Sequence, residues 1–135
     1  MPYLLDTNVL SEPAKPTPNA KLVSWLAEHD ADVLISVLTV GEIVKGIELM
    51  PSGKRRRQME RWFEEIEDWA TGRVVPVDTE VMRVWGLYYA KQLKRGRVLD
   101  VMDSLLAATA LAHGLTIASR NLTDFPDVPG LNPWE

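Results

Sequence analysis

Three carboxylates in this 135-residue chain occupy comparable places, and their types and spacing could do chemistry. Asp6 ends a short apolar run, Glu42 sits in the first turns after a second apolar run, and Asp103 lies in the first turn of an apolar helix. Asn121 and Asp124 follow a further inner run at 115–118. In a right-handed parallel α/β fold, strand ends and the helix starts that follow them point to one edge of the sheet. Carboxylates gathered there repel and raise one another's pKa. The usual physical reason for assembling them is a divalent cation, which can polarise a phosphoryl oxygen and supply hydroxide at neutral pH. The chain has no cysteine and only His29 and His113, so any metal would be held by oxygen, pointing to Mg²⁺ or Mn²⁺. The pattern predicts metal-assisted phosphodiester hydrolysis.

Charge narrows this further. A net charge of −4 is the wrong sign for a protein that binds nucleic acid over its whole surface. The positive charge is clustered, in Lys54, Arg55, Arg56 and Arg57 and again in Lys91, Lys94, Arg95 and Arg97. The second group directly precedes the Asp103 helix and is expected to form a local phosphate track beside the site. Other chemistries fare worse. Both histidines end helices and read as structural, which removes a Ser-His-Asp triad, and there is no GxxxxGK[ST] or GxGxxG phosphate loop. No apolar run reaches the roughly 18 residues of a transmembrane helix. No basic-then-apolar signal pattern precedes Asp6, so a cytoplasmic protein is expected.

The elements that must position these residues follow from periodicity. Residues 2–5, 32–37, 73–77 and 115–118 read as inner strands, with Pro76 marking an edge or strand end, and 131–134 as a last strand-like piece. Prolines 13, 16 and 18 keep 11–19 irregular, with Thr17 and Pro18 expected to start a helix running to His29. Ser36 or Thr39 caps a helix over 38–50. Met59, Trp62, Phe63, Ile66 and Trp69 make the clearest helical stripe, over 54–70. Asp78 starts a helix through Lys94, and 102–112 is apolar on almost every face, hence a buried helix stopped by Gly114. With 46% hydrophobic and 25% charged residues, residues 1–135 make one ordinary globular domain: an α/β sandwich with a mainly parallel central sheet and helices on both faces.

The stretches LLDTNVLSE, VLTVGEIVKGI and VMDSLLAATALAHGLTIASRNLTDF, followed by LNPW, resemble PIN-domain proteins of the VapC type. GRVLDVMDSLLAATA and the closing LNPW are most like the FitB branch. The resemblance covers essentially the whole chain. It implies a PIN fold, a Mg²⁺- or Mn²⁺-dependent endoribonuclease, a toxin of a type II toxin-antitoxin pair, a homodimer, and an antitoxin whose C-terminal segment blocks the site. DNA would be met only through that antitoxin, and no membrane is involved. The family's acids map onto Asp6, Glu42 and Asp103, with Asp6 and Asp103 as metal ligands, and its small hydroxyl positions onto Thr7 and Ser119. Asn121 stands where other PIN domains often carry a fourth Asp, and Asp124 follows three residues later, so either could fill that place.

Two rival readings keep the scaffold. One is a catalytically weak binding module that works with its antitoxin in a DNA-binding repressor complex. The other is a phosphatase or DNA nuclease with the same acids. Trp62, Phe63, Trp69 and Trp85 are the residues expected at a dimer interface.

Overall fold

Leu4 and Leu5 are adjacent in the first strand and both wholly buried, yet they enter different cores. Side chains alternate across a strand, so a strand buried on both sides needs apolar residues at consecutive positions. Val33 and Ile35 join Leu5, while Leu34 packs on the side of Leu4. Ile117 and Ala118 divide the same way. Each fully buried Leu or Ile contributes about 1.5–3 kcal/mol, so two cores sharing one sheet hold the fold together.

The computed structural model describes residues 2–135. Its strands are β1 (Tyr3–Leu5), β2 (Val33–Ser36), β3 (Val74–Val75), β4 (Thr116–Ala118) and β5 (Gly130–Leu131). They lie in the order β3-β2-β1-β4-β5, and every pairing is parallel, where a mainly parallel sheet was expected. The helices are α1 (Thr7–Ser11), α2 (Ala20–Glu28), α3 (Val37–Glu48), α4 (Lys54–Trp69), α5 (Thr79–Lys94) and α6 (Val101–His113). Residues of α1 to α4 build the core around Leu5, and α5 and α6 build the one around Leu4. Among the described residues no helix is long and apolar enough to cross a membrane.

Local chemistry sets the boundaries. Ser36 is the cap of α3, its Oγ accepting from Leu38 N–H at 3.0 Å. Gly114 takes the left-handed conformation (φ 65°) that ends α6. Pro76 falls just past β3, an edge strand, where its missing N–H costs no ladder bond.

Three expectations need correcting. Helix α2 is capped by Asn19, not started at Thr17 and Pro18: Asn19 Oδ1 accepts from Leu22 N–H at 3.0 Å. Buried Glu12 fixes that cap by accepting from the Asn19 backbone N–H at 2.9 Å. Within the segment expected to be irregular, residues 12–14 form a 3-10 turn, with Pro13 in its first turn. Helix α6 is buried through its centre and not all round, since Val101 and Leu111 remain 54% and 37% exposed. One side of α6 faces the sheet, and Trp85 and Tyr89 of α5 grip its start.

A candidate active site at the sheet edge

The order of the strands reverses between β1 and β4: the chain runs outward from β1 to β2 and β3, then returns to β4 on the other side of β1. Ligand sites of parallel α/β sheets lie at such a switch point, beyond the strands' carboxyl ends. Asp6 follows β1 there, and Ser119 follows β4. The Asp6 N–H donates to Ala118 O at 2.9 Å, extending the ladder by one rung. Across the same gap Ser119 Oγ–H donates to Asp6 Oδ2 at 2.7 Å. Asp6 also caps α1, its Oδ1 accepting from Thr7 N–H at 2.8 Å.

Glu42 arrives from α3. Its Oε1 accepts from the Thr7 hydroxyl at 3.1 Å, so Thr7 links two of the predicted acids. Asp103 arrives from the first turn of α6, whose cap is Asp100: Asp100 Oδ2 accepts from Asp103 N–H at 3.1 Å. That turn is clamped by α5. Trp85 Nε1–H donates to buried Ser104 Oγ at 2.9 Å, and Tyr89 O–H donates to Leu99 O at 3.0 Å.

The electrostatics are those of a shared site. Burial pushes the Asp6 carboxyl above its ordinary value, opposed by the bonds from Ser119 and Thr7 and reinforced by Asp124. Burial also raises Glu42, against the Thr7 hydroxyl, with Asp6 and Asp100 adding to the rise and Lys45 opposing it. Asp103 is pushed up to about 6, first by burial and then by Asp100, Asp6, Asp124 and Glu42 in turn. Among the described residues, none of the charges acting on Asp6 or Asp103 is a cation.

Asp6, Glu42 and Asp103 are thus brought into one electrostatic group, together with Asp124 from the 3-10 turn 122–124. Gly130 lies against that turn, where a Cβ would stand 2.6 Å from Leu122 Cδ2 at the end of its side chain. The Asn121 side chain makes no bond to the acids; its backbone N–H donates to Ser119 Oγ at 3.0 Å. Arg95 and Arg97 are held elsewhere, with Nη1 atoms 2.7 and 3.8 Å from Asp127 Oδ2. Arg97 also donates to Gln92 Oε1 at 3.2 Å. Lys91 lies near enough to help lower Asp127, and Lys94 is exposed. The two arginines of the expected track thus have Asp127 as their carboxylate partner. Arg56, in the other basic cluster, pairs with Glu48 at 3.1 Å. Of the aromatic residues expected at an interface, Trp85 is engaged within the chain, and Trp62, Phe63 and Trp69 pack half-buried against the core.

Two residues of the site were missed from sequence. Asn8 Nδ2–H donates to Asp6 Oδ2 at 3.3 Å and to Ser119 Oγ at 3.5 Å, a role its place directly after Asp6-Thr7 could have signalled. Asp100 is the largest charge acting on Asp103. Its spacing of three from Asp103 is the ordinary cap-to-N3 spacing, which sequence alone cannot distinguish from a site.

The donor set suits a hard divalent cation. Among the described residues no three acidic or imidazole groups close around one ion directly. Mg²⁺ does not require that, since it is held by one or two carboxylates with waters completing its octahedron. Asp6 and Asp103 offer oxygen ligands in a half-buried position where, among the described residues, no cation acts on either.

A parallel α/β sandwich with carboxylates gathered at its switch point is the architecture of a PIN domain. The chain belongs to the PIN-domain family, whose model matches residues 3–131. Within that family it is 37% identical to Toxin FitB of Neisseria gonorrhoeae over 135 residues, 97% of each chain. It is 36% identical to VapC ribonuclease Y4jK of Sinorhizobium fredii, over 98% of this chain and 97% of that one. Its fold superposes on the structure of FitAB bound to an IR36 DNA fragment with a TM-score of 0.90 at 36% identity, covering 98% of this chain and 96% of the other.

Proposed function

We propose that the protein is a Mg²⁺- or Mn²⁺-dependent endoribonuclease, the toxin of a toxin-antitoxin pair, cleaving RNA phosphodiesters at the end of β1. The observation that carries this reading is the gathering of Asp6, Glu42, Asp103 and Asp124 at the sheet's switch point, with Asp6 and Glu42 tied in by Ser119 and Thr7 and, among the described residues, no cation acting on Asp6 or Asp103. Asp6 and Asp103 would hold the ion. When bound, it supplies positive charge to the phosphoryl oxygens and acidifies water. Ser119 and Asn8 fix Asp6 Oδ2, and Thr7 fixes Glu42 Oε1, leaving Glu42 Oε2 to take a proton from the attacking water. The ribonuclease name of the Sinorhizobium relative supports RNA as substrate.

An antitoxin partner is supported by the solved FitAB complex and by a groove of about 180 Å³ that reaches Glu42, lined also by Thr7, Ile47, Met50, Met59 and Trp62. An apolar segment laid there would cover Glu42. The DNA fragment in that complex favours a second role beside cleavage, as part of a repressor assembled through the antitoxin. The expected homodimer belongs to the same proposal and is checked by light scattering.

Mg²⁺ and Mn²⁺ should each raise the melting temperature of the metal-free protein by mass action and switch on RNA cleavage together. A titration that changes neither would overturn the metal reading.

A further inference from the structure

Arg120 directly follows Ser119 and is exposed at the rim of the site. Its backbone N–H donates to Asn8 Oδ1 at 3.4 Å, tying it to the side chain that also holds Asp6. Its guanidinium lies 5.2 Å from the centre of the Trp134 ring, a cation–π contact. Trp134 is half-buried against the core, so the platform under the guanidinium is fixed. Four other arginines spend their charge on carboxylates, Arg56 on Glu48, Arg73 on Asp30, and Arg95 and Arg97 on Asp127, while Arg55, Arg57, Arg61 and Arg83 lack the ring contact that seats Arg120 beside the site. Among the described residues Arg120 makes no ion pair. Nearby Glu12, whose charge it feels, is already bonded to Lys15 at 2.9 Å and to the Asn19 N–H.

A polyanion approaching a cluster of carboxylates on a protein of net charge −4 is repelled, and it needs a local cation to dock. A guanidinium covered on one face by an indole keeps its edge N–H groups free, and that planar fork matches phosphate oxygens. We propose that Arg120, seated on Trp134, contacts a backbone phosphate of the single-stranded RNA and so sets where the chain enters the site. This rests on the ribonuclease reading above.

The test is fluorescence anisotropy of a labelled single-stranded RNA over a range of salt, alongside cleavage assays and melting curves, for wild type, Arg120→Gln and Arg120→Lys. Loss of one phosphate contact should flatten the slope of log affinity against log salt by about 0.7, and Lys should restore it because it keeps the charge. Arg120→Gln should raise KM more than it lowers kcat. Wild-type slope in Arg120→Gln overturns the proposal, and a lowered melting temperature alongside it would assign Arg120 to pinning Trp134 or to a protein partner. RNA binding without cleavage in wild type, with the slope change intact, would sink the ribonuclease reading and leave the phosphate contact standing. Absence of RNA binding by wild type overturns both.

Discussion

Ser119 Oγ–H meets Asp6 Oδ2 at 2.7 Å although 113 positions separate the two residues in the chain. The bond spans the gap between β1 and β4, where the sheet's order reverses, and it opposes the burial that pushes the Asp6 carboxyl up. In Ser119→Ala the Asp6 carboxyl should rise further, moving the acid limb of the pH–rate profile to higher pH. Cleavage should fall about 10–100-fold, the range seen when groups supporting a metal ligand are removed. An unmoved acid limb would show that the bond serves packing alone.

Asp103 gives the pH dependence its sign. Its carboxyl stands at about 6 in the folded protein against an ordinary 3.8, so between those values the folded form binds the extra proton. The stability this contributes is fully present below about 3.8 and lost as pH rises through about 6. Asp103→Asn should therefore stabilise the metal-free protein at pH 7.5, by on the order of 1 kcal/mol after solvent screening, and give no gain at pH 4. The same variant should abolish cleavage. Melting curves of both proteins at the two pH values check the first outcome.

Asp124 and Asn121 separate cleanly in the structure. The Asp124 charge acts on both Asp6 and Asp103, whereas Asn121 contributes a backbone N–H to Ser119. Asp124→Ala should lose activity partially, with recovery at higher Mg²⁺, and Asn121→Ala should lose less. Equal losses, or a normal rate per folded molecule in Asp124→Ala, would remove Asp124 from the site.

Asp127 holds a left-handed backbone (φ 63°) and accepts from Gln92 at 2.9 Å and Arg95 at 2.7 Å. The Gln92 bond first, then the basic side chains, keep its carboxyl below the ordinary range. Its stabilisation is present above the unfolded pKa and lost as pH falls through the lower folded one. Asp127→Asn should lower the melting temperature at pH 7, with the difference shrinking as pH falls below the ordinary carboxylate value. Freed from Asp127, Arg95 and Arg97 should not alter the cleavage rate, because neither is among the charges acting on Asp6, Glu42 or Asp103. A changed rate would restore them to the site.

The sheet, and the places of Asp6, Glu42 and Asp103 on its elements, were readable from sequence because each rests on a local signal. Leu4-Leu5 before Asp6, Ser36 before α3 and the left-handed Gly114 mark strand ends and helix limits without tertiary knowledge. The Arg95–Asp127 pair was not readable, because Arg95 meets a carboxylate 32 positions away in the chain. The same limit hid Arg120, whose bond to Asn8 depends on β1 and β4 lying side by side. The Asn19 cap lost out to Thr17-Pro18 in the sequence because its anchor, the buried Glu12 carboxylate, comes from the preceding turn.

The most direct test is cleavage of a single-stranded RNA by purified wild type and Asp6→Asn, each with Mg²⁺ or Mn²⁺ and again with a chelator. Wild type with metal should cut, and the other combinations should not. Cleavage that survives either the chelator or the loss of the Asp6 charge would contradict a metal site built on this carboxylate.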